Sequence, residues 1–337
     1  MTNKPRVKPR RLKIWPEVES LAPIMLYLPP IAKSGRVIVE LSNCNSADSC
    51  GLNVLLMRLI KQAMSSNVEG KLCDLVEPIS PEIKKIIFDS GFIHYLNKWF
   101  GFDRQFTGTL LELCYQYTQP KMSDVIEIET ATGITQYSYP IYMFNFDGEN
   151  RRGEWNQFQN WTLTILNTFE NYNIPKFELL SIIKEVFKNS ADHTDNIASF
   201  AIDIRQNRCN PQSAIEISFT FLDLGKGIYK NIYDILAASS IGRIGHGSLT
   251  EVYHMAMQRG FSTKSSKTKI NLGLGMDVIT RGSKSIGMHL SVYDAQSRGV
   301  LSGLKEVTHS EIRKHFFDSK NQVVFCYYGK LTCGAKL

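Results

Sequence analysis

The sequence has no Cys-x-x-Cys pair, no unbroken apolar run of membrane length, no internal repeat and no low-complexity tract. Its seven cysteines, Cys44, Cys50, Cys73, Cys114, Cys209, Cys326 and Cys333, are scattered and odd in number. That excludes the paired spacing of a zinc site, argues against a disulfide framework and points to a reducing, cytoplasmic compartment. The apolar stretch from Leu21 to Ala32 is short and interrupted by Pro23, Pro29 and Pro30. It cannot span a bilayer, and a signal peptide would need a longer unbroken run, so no membrane partner is expected. What remains is ordinary globular composition, 43% hydrophobic and 21% charged. A length of 337 residues suggests two domains.

The net charge of +7 is unevenly placed. Lys4, Arg6, Lys8, Arg10, Arg11 and Lys13 all precede the first acid, Glu17, and residues 1–20 read as a basic tail. Such a tail has the charge to touch nucleic acid or an acidic partner, but a disordered solubilising tail is the plainer reading. Residues 21–100 read as a small α/β domain. Arg36–Leu41 and Lys71–Val76 are strand candidates, and Gly51–Met64 carries a helical stripe of Leu52, Leu55, Leu56, Leu59 and Ile60. A further helix starts at Pro81, capped by Ser80 and stopped by Gly91.

Residues 101–150 read as a bridging hairpin or linker. Asp124–Thr130 alternates as a half-buried strand does, and Tyr137–Phe146 is its aromatic-rich return. Pro140 suggests that the return strand lies at an edge. No basic residues interleave these aromatics, so sheet packing explains them better than base stacking. The polar run from Asp147 to Gly153 marks the boundary of a second domain, residues 151–337. There a helix over Trp155–Tyr172, a second helix through Glu185, and strands at Ala198–Arg205, Ala214–Leu222, His289–Asp294 and Val323–Tyr328 predict a two-layer α/β sandwich with a mixed sheet.

Chemistry concentrates in the second domain. Glu185 and Asn189 are four apart and project from one helix face. Asn offers a neutral oxygen to Mg²⁺, a hard cation, and Glu can orient and deprotonate a nucleophile. Downstream, Phe219–Leu222 runs into Asp223-Leu224-Gly225-Lys226-Gly227, a buried strand entering a glycine turn. Gly273-Leu274-Gly275 then opens a second helix. Gly225 and Gly227 admit close backbone approach, and the free amides of a helix starting at Gly273–Gly275 suit phosphates.

In that order, E-x-x-x-N, D-x-G-x-G and G-L-G, the chain resembles over roughly 150–337 the ATP-binding domain of gyrase, heat-shock chaperones, histidine kinases and mismatch-repair proteins, the GHKL fold. The resemblance implies ATP and Mg²⁺ as ligands. It implies Glu185 as the base, Asn189 as the metal ligand, Asp223 as acceptor for the adenine amino group, and Gly225, Gly227, Gly273, Leu274 and Gly275 as the nucleotide-lining turns. Asp192 would support the site through water, and His193 stands where related bacterial ATPases often have histidine. Residues 228–270 would form a mobile lid, with Ser262, Thr263 and Lys264 meeting the γ-phosphate; Lys267 and Lys269 compete with Lys264, and Arg243 and His246 are further candidate contacts.

A second resemblance covers Leu41 to Leu52, which is similar to the strand-loop-helix of STAS domains. The family's Asp-Ser-Ser-Gly-Leu stands here as Asp48-Ser49-Cys50-Gly51-Leu52. Cys50 occupies the place of the phosphorylated serine. Ser49 is the remaining candidate, and capping of the helix by Asp48 and Ser49 is the preferred reading.

Glu185 and the absence of a His-Glu-x-x-x-Pro segment disfavour a sensor histidine kinase. The leading expectation is a Mg²⁺-dependent ATPase acting as a nucleotide-driven switch, with a protein partner or homodimer. The alternatives are a serine/threonine kinase of anti-sigma-factor type acting on a STAS-like partner, and an ATP-gated interaction module without turnover.

Overall fold

The structure, a computed structural model, describes residues 10–13, 17–18, 37–65, 73–76, 78–100, 120–129, 133–146, 151–193, 197–207, 210, 213–225, 275–294, 299–302, 305–306 and 325–336. The described residues begin with four short strands: β1 (Arg10–Lys13), β2 (Glu17–Val18), β3 (Val37–Glu40) and β4 (Ser46–Ala47). Within the stretch read as a tail, β1 pairs in parallel with β3, and β2 with β4. The main chain there satisfies its polar groups on a neighbouring strand, which a basic composition does not forbid. Helix α1 (Ser49–Ser65) leads to β5 (Cys73–Val76), which completes the parallel order β1-β3-β5.

Helix α2 (Pro81–Asp89) begins as read: the Ser80 hydroxyl accepts from the Ile83 amide at 3.3 Å and proline follows at the first position. It ends at Gly91, whose φ of +82° lies in the left-handed region. The chain does not leave helical structure there, because α3 (Phe92–Phe100) starts at the next residue.

The remaining strands form one open sheet. They are β6 (Ile126–Glu129), β7 (Ile134–Ser138), β8 (Tyr142–Asn145), β9 (Ile197–Asn207), β10 (Ile215–Asp223), β11 (His289–Asp294), β12 (Gly299–Ser302), β13 (Lys305–Glu306) and β14 (Phe325–Cys333). The order is β13-β12-β11-β14-β10-β9-β7-β6, with β8 also on β9. The expected mixed sheet is corrected here: every described pairing within this sheet is antiparallel, and parallel pairing is confined to the small N-terminal sheets. Hairpin-type neighbours such as β9 and β10 need no crossover, which favours that arrangement.

The expected return strand from Tyr137 to Phe146 is divided at Pro140 into β7 and β8, which pair with different parts of β9. Proline has no N–H for the ladder. The next amide, Ile141, leaves the sheet and donates to the Ser90 carbonyl at 2.8 Å.

Helices α4 (Arg151–Asn167), α5 (Lys176–His193) and α6 (Gly275–Ser285) cover one face. Strand alternation sorts the side chains. Phe200, Ile202, Ile217, Phe219 and Phe221 pack with Phe158, Ile183 and Val186 on the α5 side. Ala201, Leu222, Leu224 and Cys326 join Leu52, Leu55, Leu56 and Leu96 on the other. The N-terminal helices therefore add a third layer to the two expected, and β9 is buried on both faces, as its apolar run requires. Gly329 stands opposite Phe219 in the β10–β14 register, and a Cβ there would lie 2.2 Å from the ring, so glycine makes room for it.

Candidate functional site

The apolar stripe of α5, Leu179, Ile182, Ile183, Val186 and Phe187, faces the sheet at helical spacing. It fixes the helix's rotation and leaves Glu185 and Asn189 partly exposed on its flank. Helix α6 lies along α5 so closely that a Cβ on Gly282 would come within 2.9 Å of Ile182. Its first residue, Gly275, meets the polar pair: a Cβ there would sit 3.2 Å from Asn189 Oδ1 and 3.4 Å from Glu185 Oε2. A carboxylate, a carboxamide and the positive end of an eleven-residue helix thus converge, across 90 positions of sequence. Lys188 donates to Glu185 Oε1 at 2.7 Å. Met276, next to Gly275, has its sulfur 4.0 Å from Asn189 Nδ2 and 3.6 Å from the Tyr327 hydroxyl.

Asp223 ends β10 on the same face of the sheet and is 5% exposed. Its Oδ2 accepts from the Ser190 hydroxyl at 2.8 Å, and its Oδ1 accepts from the Gly225 amide at 2.8 Å. Ser190 directly follows Asn189, so one turn of α5 joins the two halves of the site. Behind Asp223, burial and then the Asp223 charge raise the Cys326 thiol well above its usual range, which keeps it protonated and inert.

Glu185, Asn189, Gly275, Asp223 and Gly225 are therefore brought together. Asp192 lies in the last turn of α5 with an exposed side chain. His193 closes that helix, and its side chain lies outside the described residues, as do Gly227, Arg243, His246, Ser262, Thr263, Lys264, Lys267, Lys269, Gly273 and Leu274. Sequence reasoning missed Ser190. A small polar residue in step with the apolar stripe of α5 was the available signal. A cleft of about 420 Å³ opens beside Pro175, Glu178, Ile286 and Cys333, toward the other end of α5, and none of the expected site residues lines it.

The segment from Leu41 to Leu52 is placed on the opposite face of the sheet. Asp48 caps α1, its Oδ1 accepting from the Gly51 amide at 2.6 Å. The Ser49 and Cys50 amides donate to the two oxygens of Asp203 on β9, at 3.0 and 2.8 Å. Ser138 also donates to Asp203, and Arg205 pairs with Asp48 at 3.4 Å. The anion position at this helix N-terminus is thus filled from within the chain. Ser49 is fully buried.

No family model and no curated protein matches the chain.

Proposed function

We propose that residues 151–337, whose sheet is extended by β6, β7 and β8, are a GHKL-type unit that binds Mg²⁺–ATP and hydrolyses it, with a STAS-like N-terminal unit docked on that sheet. The observation that carries this reading is the meeting of Gly275 with Glu185 and Asn189, beside an Asp223 joined to the same helix turn through Ser190. Glu185 and Asn189, Asp223 and Gly275 belong to three motifs far apart in the chain, and these members share one corner of the fold.

The residues suit the ligand. Asn189 presents a neutral oxygen where glycine lets a helix start approach, and Mg²⁺ takes few protein ligands and keeps waters and phosphates for the rest. No cluster of three His, Cys, Asp or Glu occurs among the described residues, and such a metal needs none. Bound Mg²⁺ supplies charge neutralisation at phosphate oxygens. The amides at the start of α6 offer donors to those oxygens. Asp223 accepts from the adenine amino group, and Glu185, oriented by Lys188, takes the proton of the attacking water.

Burial of Ser49 speaks against the chain phosphorylating its own STAS-like segment while docked. The test is Glu185→Ala, assayed for phosphate release and for nucleotide binding. Turnover should fall by about 10²–10⁴-fold with binding retained. Unchanged hydrolysis would remove Glu185 from the mechanism.

A further inference from the structure

Helix α1 runs lengthwise over β10. Cys50 Sγ approaches the Ser218 carbonyl at 3.6 Å, Asn53 Nδ2 donates to Thr220 Oγ1 at 3.1 Å, and Lys61 Nζ donates to the Leu224 carbonyl at 2.6 Å. The last contact reaches the turn that carries Asp223. Leu222 and Leu224 are buried in the core shared with α1, whereas the Asp223 side chain between them bonds to α5 on the other face. The peptide joining Leu224 to Gly225 is held at both ends: its carbonyl accepts from Lys61, and its N–H donates to Asp223 Oδ1. The other Asp223 oxygen accepts from Ser190. Three hydrogen bonds thus run in series from the N-terminal unit, past the C-terminal end of β10, to the residue beside Asn189. A cationic donor on a carbonyl polarises its peptide and strengthens what the N–H of that peptide donates.

We propose that Lys61 is a positioning residue for Asp223, acting through the Leu224–Gly225 peptide, so that docking of the N-terminal unit sets the affinity of the nucleotide site. The relay stands on geometry alone; its consequence for affinity rests on the nucleotide reading above. Any partner that shifts α1 along β10 would reach the adenine side of the pocket without touching it.

Lys61→Met keeps the apolar stem and removes the donors, and Lys61→Arg restores a donor. In the full chain without nucleotide, the Gly225 amide should exchange its hydrogen about tenfold faster in Lys61→Met, the size of one hydrogen bond's net contribution, and recover in Lys61→Arg. Amides in the middle of β10 should be unaffected. A general loosening of β10, or no change at Gly225, overturns the relay. By calorimetry, ATP affinity should fall by about the same factor in Lys61→Met and return in Lys61→Arg. Altered exchange with unaltered affinity overturns the coupling. If the unmodified chain binds no ATP, the nucleotide reading fails and the coupling with it, while the exchange measurement still decides the relay.

Discussion

At the residue scale the site depends on groups that hold other groups. Ser190 is 1% exposed and supplies a donor to Asp223 from the helix that carries Asn189. Removing it leaves a buried carboxylate oxygen with one partner fewer. Ser190→Ala should therefore lower stability by about 1–3 kcal/mol, read as a shifted urea midpoint with unchanged slope. A neutral result would mean that water replaces the hydroxyl and that the link between α5 and β10 matters little. Gly275 brings the start of α6 close to both side chains: a Cβ there would be 3.2 Å from Asn189 Oδ1 and 3.4 Å from Glu185 Oε2, a tight fit that the side chains would meet by a small shift.

At the element scale, the β10–β14 pair shows how far a single position constrains a sheet. Phe219 folds its ring over Gly329 on the neighbouring strand. Gly329→Ala would place a methyl inside that ring's volume, an overpacking cost of about 1–3 kcal/mol, visible as a lower thermal midpoint. Phe219→Leu in the same chain should recover part of the loss, because the smaller side chain vacates that space. If the double variant is no more stable than Gly329→Ala, the clash is not the cause.

The elements differ in how plainly the sequence announces them. Strands β9 and β10 and helix α5 were legible because long apolar runs and a 3.6-residue stripe survive any context. The Ser80 cap was legible because serine before proline has a local mechanism. Strand β1 was not, since polar residues pair through the main chain and leave no pattern in the side chains. Helix α3 was hidden behind Gly91, a residue that ends one helix but whose left-handed φ also lets the chain turn directly into another. Glu185, Asn189, Asp223 and Gly275 were legible as motifs, whereas their meeting depended on the antiparallel packing of α5 and α6, which no spacing states.

At the scale of the whole molecule the sheet is the shared wall of two units. Burial on both faces of β9 implied a second covering layer, and the N-terminal helices supply it. The fastening at its centre is Asp203, an acid within an apolar strand whose oxygens accept from α1 amides and from Ser138. Burial raises the Asp203 carboxyl above its usual value of 3.8, opposed by those donors. The folded chain then binds a proton at pH values where the unfolded chain has released it. Stability contributed by that proton is complete below 3.8 and is lost as pH rises through the native value. Asp203→Asn should flatten this fall in urea titrations across the mildly acidic range, and an unchanged pH slope would exclude Asp203 as its source. Among the described residues no helix is long and apolar enough to cross a membrane.

The most direct measurement is titration calorimetry of the full chain with ATP in the presence and absence of magnesium. One magnesium-dependent site per chain is expected, displaced by ADP and lost in Asp223→Ala. Folded protein that takes up no adenine nucleotide would contradict the assignment of this corner of the fold to ATP.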